Sequence, residues 1–263
     1  MKGEIILAGA LCAALAAPAS ADDKSPICAD RPGKATSACT VPQGRWQLEA
    51  SLADWTLQKG DGDRDTSLVL GETTLKYGLT DASDIEVDVT PFERSRVSAG
   101  GIHESGVGDV DVIYKQRLTR SDAPLQIIAM PFIKVPTANH SLGNGKWEGG
   151  LEFPAGYQIP KTPLSLGLTP ELDWVANGDG HGHHLAMEQV ATLGWTVSDK
   201  LDLSAEIWGG WDWDPAGTTR QASADGSLAY LLTNDVQLDA GANFGLNSAT
   251  PDVELYGGVS VRF

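Results

Sequence analysis

Apolar and polar residues alternate one by one along most of the chain after Pro42. The last segment is the clearest: Val253, Leu255, Val259, Val261 and Phe263 fall on one side, and Glu254, Tyr256, Ser260 and Arg262 on the other. The segment before it sets Val236, Leu238, Ala240, Ala242, Phe244 and Leu246 against Gln237, Asp239 and Asn243. Successive strand side chains point to opposite faces, so a period of two is a strand signal. The pattern predicts twelve strands, at 43–55, 66–77, 84–94, 107–119, 124–135, 146–159, 163–175, 184–197, 200–213, 221–232, 235–246 and 252–263.

The predicted connections alternate in length. Short ones fall at 78–83, 119–123, 160–162, 198–199 and 233–234; long ones at 58–65, 94–106, 136–145, 176–184 and 214–220, with 245–251 intermediate. Short turns at one end and long loops at the other describe an up-and-down barrel in an outer membrane. The expected fold is therefore all-β, an up-and-down antiparallel transmembrane β-barrel of twelve strands with both termini periplasmic. A soluble sandwich or lipocalin-like barrel is the competing reading. Against it stand the regular polar face of every strand and the aromatics near strand ends. Trp46, Tyr77, Trp195 and Phe263 mark one rim, and Trp55, Trp147, Trp174, Trp211 and Trp213 the other, as two interfacial girdles would. A terminal Phe263 after an alternating strand resembles the assembly signal of outer-membrane barrel proteins. Lipids of that membrane and the barrel-assembly machinery are then the expected partners, in a Gram-negative bacterium.

The N-terminus fits export. Lys2 precedes an apolar run, Ile5–Ala17, and Ala19-Ser20-Ala21 offers a small-x-small cleavage site. Residues 1–21 read as a signal peptide, 22–42 as a polar periplasmic lead-in, and 43–263 as the barrel. Cleavage removes Cys12 and leaves Cys28 and Cys39, which an oxidising compartment would join as a disulfide. Whether the stapled lead-in plugs the lumen or hangs in the periplasm is open at this level.

Composition changes meaning once the barrel is in view. The 19 Lys+Arg and 35 Asp+Glu give a net charge of −16, which excludes a nucleic-acid partner. Mean hydropathy is only −0.16, an ordinary value, because alternation averages the two faces. If apolar side chains face lipid, the lumen is lined by Glu86, Asp88, Asp109, Asp111, Lys115, Arg117, Lys134, Glu148, Glu152, Glu171, Asp173, Glu188, Glu206, Asp239 and Glu254. Acids outnumber bases there. A paired, plugged interior and a water-filled channel favouring cations or neutral solutes over anions are both open.

CADRPGKATSACTVPQGRWQLEAS, GVGDVDVIYKQRL and MPFIKVPTANHSLGNGKWEGGLEFP resemble the outer-membrane transporters named after the meta-pathway of phenol degradation. The resemblance covers nearly the whole mature chain. It implies a barrel that passes small, hydrophobic or aromatic molecules, with no cofactor. The alternative is a closed structural or sensory barrel without transport.

Two further motifs have other readings. His181, His183 and His184 lie in a predicted loop beside Asp179 and are weak candidates for a transition metal. His103 and Ser105 in HESG resemble the H-x-S-N-G motif of outer-membrane phospholipase A. Gly106 replaces its Asn, and the string falls in a predicted loop. No catalytic residue is assigned, and a surface lipid hydrolase remains an outsider.

Overall fold

The computed structural model describes residues 25–60, 63–97, 102–139 and 142–263, without the side chains of 97, 102 and 103. The expected signal peptide, 1–21, lies outside the described residues. The strands are β1 (Trp46–Gly60), β2 (Asp63–Leu70), β3 (Thr73–Thr80), β4 (Ser83–Val89), β5 (Phe92–Val97), β6 (Ile102–Gly106), β7 (Val110–Arg117) and β8 (Leu125–Val135). They continue with β9 (Glu148–Glu152), β10 (Ala155–Gln158), β11 (Leu164–Ala176), β12 (His183–Ser198), β13 (Leu201–Asp212), β14 (Thr219–Thr233), β15 (Val236–Gly245) and β16 (Val253–Arg262).

All pairings are antiparallel, and β16 returns to β1, so the sheet closes on itself. Closure pairs the strands on both sides around the barrel, as a bilayer requires of any strand that crosses it; among the described residues β6, at the long-loop end, has β5 as a neighbour on one side only. The sixteen segments build twelve barrel strands, because four of these are interrupted once: β2/β3, β4/β5, β6/β7 and β9/β10. The interruptions have local causes. Pro91 and Pro154 have no N–H to give a ladder. Gly108 bridges two of the breaks, donating its N–H to the Thr90 carbonyl at 2.8 Å.

Side chains sort as the alternation requires. Leu168, Leu193 and Ile207 point outward, 53%, 47% and 57% exposed, although they are large and apolar. Their sequence neighbours Thr169, Thr192 and Glu206 point inward. A bulge in β1 between Ser51 and Ala53 changes the parity, so Glu49 and Asp54 both reach the interior although five residues separate them. At the short-turn end, Trp46 and Tyr77 pair across strands with ring centroids 4.6 Å apart. Phe263 closes the seam there, exchanging backbone hydrogen bonds of 2.9 and 2.8 Å with Trp46.

In two expected long loops every described residue is strand. β1 and β2 pair out to Gly60 and Asp63, and β5 and β6 to Val97 and Ile102. The polar strings QKGDGDRD and ERSRV hid them. Beyond the apolar band both faces of a strand are polar, and the period of two loses its contrast. HESG therefore lies on β6, not in a loop.

Candidate functional site: a stapled hairpin in an acidic lumen

Residues 25–42 carry no strand or helix, yet they are held in place throughout. The disulfide between Cys28 and Cys39 ties the two arms, with Cα atoms 6.5 Å apart. The tip is Arg31-Pro32-Gly33-Lys34. Gly33 has φ +94°, and a Cβ there would come within 2.8 Å of the Glu206 carboxylate, so only glycine fits.

The arms meet inward side chains of strands around the barrel. Asp30 accepts bonds from Lys115 (2.7 and 3.0 Å), from Lys76 and from the Ser37 hydroxyl. The N–H groups of Asp30 and Arg31 both donate to the Glu49 carboxylate at 3.0 Å. Arg31 pairs with Asp239 at 2.8 Å. The Lys34 N–H donates to Glu206 at 2.9 Å, and Val41 N–H to Asp84 at 2.7 Å. At the base, Arg262 donates to the Ser25 carbonyl at 2.8 Å and Ile27 N–H to Asn234 at 2.6 Å. Burial alone would raise the Asp30 carboxyl; Lys115 and Lys76 overcome that and hold it well below the usual carboxylate range.

The hairpin does not fill the bore. A cavity of 560 Å³ separates it from the β8 and β10–β14 wall near the short turns, lined by Gln126, Tyr157, Ser165, Thr192 and Ser204. A second, of 240 Å³, lies between the hairpin and Glu72, Asp88, Met130 and Glu152.

The fifteen predicted lumen residues separate by their partners. Glu86 and Lys115 are buried beside Lys76, with Glu86 3.5 and 3.8 Å from the two ammonium groups, and they seat the hairpin. Asp239 and Glu206 also hold it. Lys134 bridges Asp109 (3.0 Å) and Glu148 (2.5 Å), as opposite charges on neighbouring strands should. Arg117 lies at the short-turn end, bound to the Asp81 carbonyl at 2.5 Å.

The rest are carboxylates set against carboxylates. Glu171 is directly opposite both Glu152 and Glu188. Asp88 is opposite Asp111, and Glu206 is opposite Asp225. Asp173 follows Glu171 on the same face. Glu188 accepts the indole N–H of Trp208 at 2.8 Å, and Glu254 lies 3.4 Å from the Lys34 ammonium. Among these groups, Glu152, Asp88, Asp111, Asp173 and Asp225 each keep a buried oxygen with no hydrogen-bond partner.

The loop histidines are separated by their surroundings. His181 is exposed. His183 stacks on Trp174 at 5.8 Å and faces the Trp147 carbonyl at 2.9 Å. His184 is buried, 2.7 Å from Asp212 and 2.9 Å from Asn177. No three His, Cys, Asp or Glu residues among the described residues are grouped to hold a metal ion. In the same loop cluster, Asp214 accepts N–H bonds from Gly178 and Ala216, which keep its carboxyl below the ordinary range. The Ser105 side chain is exposed on β6.

Asp30, Arg31, Lys34 and Trp208 were not among the sequence candidates. One signal was available for Trp208: it shares the parity of Glu206, so an indole stands where a polar residue belongs.

A closed antiparallel barrel with a polar interior, partly occupied by a hairpin, and an apolar exterior defines a protein of the outer-membrane barrel class. Residues 29–263 match the family described as "Putative MetA-pathway of phenol degradation", and the chain belongs to it. Comparison with curated proteins gives no match. Among solved structures, the KdgM porin shares the fold at 7% identity and a TM-score of 0.52, over 82% of this chain and 99% of that one. The CymD monoaromatic hydrocarbon channel aligns over 84% of this chain and 88% of its own at 8% identity and 0.44. The translocator domain of autotransporter NalP from Neisseria meningitidis gives 15% identity and 0.44, over 85% and 90%. At those scores the last two add nothing to the fold assignment.

Proposed function

We propose that the protein is a passive outer-membrane channel for small molecules, with the acidic face of the lumen as the solute path and both termini in the periplasm. Asp88, Asp111, Glu152, Glu171, Asp173, Glu188 and Glu254 are its selective lining. The like-charged rungs support this reading most directly. Carboxylates directly opposite one another destabilise a sheet, and a barrel selected only for stability has no use for them. In a narrow, low-dielectric bore they concentrate the field, favour cations and neutral solutes, and repel anions. Family membership supports small, hydrophobic or aromatic solutes.

The hairpin favours a second reading, a barrel closed at rest. Planar-bilayer recordings across a KCl gradient separate the two. The channel reading expects a reversal potential on the potassium side. An anion-selective current, or no current in either the parent or Asp30→Asn, in which the hairpin loses its anchor, sinks it.

A further inference from the structure

The tip of the hairpin carries an ammonium group into a chamber that the barrel itself builds. This chamber has a volume of 170 Å³ and lies on the long-loop side of Lys34, walled by Trp208, Asn243, Glu254 and Thr250. The Lys34 Nζ stands 4.9 Å from the centre of the Trp208 ring and 3.4 Å from Glu254 Oε2. Trp208 is buried, and its indole N–H is spent on Glu188, which leaves the ring face to the chamber. Asn243 is 4% exposed; its Nδ2 donates to Glu254 at 2.7 Å, and its Oδ1 has no hydrogen-bond partner.

An aromatic face, a carboxylate and a free buried acceptor are together the requirements of an ammonium ion with a greasy shell. Glu254 is the one carboxylate that lines the chamber, and no three His, Cys, Asp or Glu side chains among the described residues are grouped to hold a metal ion. Apart from Lys34 every lining residue belongs to the barrel, whereas the ammonium at the chamber's edge belongs to the hairpin. We propose that the chamber is a binding site for small organic ammonium ions, and that Lys34 is its tethered occupant, displaced when such a cation arrives. This deepens the cation-favouring reading above and rests on it. The hold on Lys34 suits an occupant that leaves. The contact to Glu254 is long, and about a quarter of the lysine side chain is in contact with solvent.

The test is calorimetric titration of trimethylammonium chloride, whose single N–H can meet the Asn243 acceptor, into the full chain in detergent. Lys34→Met keeps the unbranched side chain to within one atom of its length and removes its charge. It should bind the probe about tenfold more tightly than the parent, the scale of one desolvated cation–π contact. Adding Trp208→Leu should abolish that gain, whereas Trp208→Phe should keep most of it. Equal affinity in parent and Lys34→Met overturns the proposal, as does indifference to Trp208→Leu. Equal heats from potassium chloride also overturn it, since the site would then be one for inorganic cations. If Trp208→Leu fails to give the heat-modifiable folded band, Glu254→Gln in the Lys34→Met background takes its place, and undiminished binding there refutes the assignment. The titration needs no current. A barrel that binds the probe and conducts nothing defeats the channel reading alone; one that conducts cations and ignores the probe defeats the chamber alone.

Discussion

Asp30→Asn should release the hairpin while leaving the barrel closed. The carboxylate is the shared partner of two ammonium groups, Lys76 and Lys115, each 2% exposed. An amide of the same shape takes away the charge and offers one acceptor oxygen in place of two. Lys76 keeps Glu49 at 2.6 Å, and Lys115 keeps Glu86 only at 3.8 Å. Breaking a buried pair from one side costs about 3–5 kcal/mol. The Asp30 side chain is 20% exposed, so the low end, about 3 kcal/mol, is the reasonable figure. That is roughly a hundredfold in the docked population. Hydrogen exchange reads it directly, because the Asp30 and Arg31 amides are both covered by Glu49. Exchange of a peptide spanning 27–41 should quicken by that factor, with β11–β14 unchanged. The pH dependence has a fixed sign. Asp30 titrates below its ordinary value of about 3.9, so its contribution is complete above that pH and is lost as pH falls further. Parent protection, corrected for intrinsic rates, should decline below about pH 4, and the Asp30 share of that decline should vanish in Asp30→Asn. Unchanged protection of 27–41 in a folded Asp30→Asn barrel would refute this account.

Three further outcomes are expected. Cys28→Ser/Cys39→Ser removes a cross-link worth about 3 kcal/mol for so short a loop; faster exchange should be confined to the hairpin, and a fall in the melting temperature of the barrel would contradict that. Gly258→Ala drives a Cβ into the Ala50 carbonyl across the seam and against the Arg31 guanidinium; about 1–3 kcal/mol of strain should lower the temperature at which the folded gel band is lost. Deleting Phe263 removes both of its backbone bonds to Trp46; the fraction inserted in outer membranes should drop, and wild-type insertion would argue against a role in assembly.

The barrel was legible because its physics is periodic. Leu255 out and Glu254 in, repeated through twelve strands, specifies the sheet, its closure and the faces of nearly every charged residue. Strand limits failed where that contrast fades, at Lys59, Gly60, Asp63 and Arg64 and at Arg94 and Arg96, all exposed. The hairpin was not legible. It has no period, and its partners lie as far as 237 residues away. Nothing in D-R-P-G-K says that Asp30 seeks Lys115 or that Arg31 seeks Asp239. The acidic excess of the strands did hint that the few cations of the lead-in had somewhere to go.

The contacts of that lead-in also set a chronology. Its docking partners include Glu49 on β1 and Asp239, Glu254 and Arg262 on β15 and β16. The lead-in, made before any strand, therefore has no complete berth until the latest strands exist and the seam has shut. It must wait outside, kept soluble by its own charges, while some 220 residues assemble without it. The disulfide makes that wait cheaper, since a pre-formed loop loses less freedom when it finally enters. What is first in sequence is last in place, and the bore is open to solvent until it arrives.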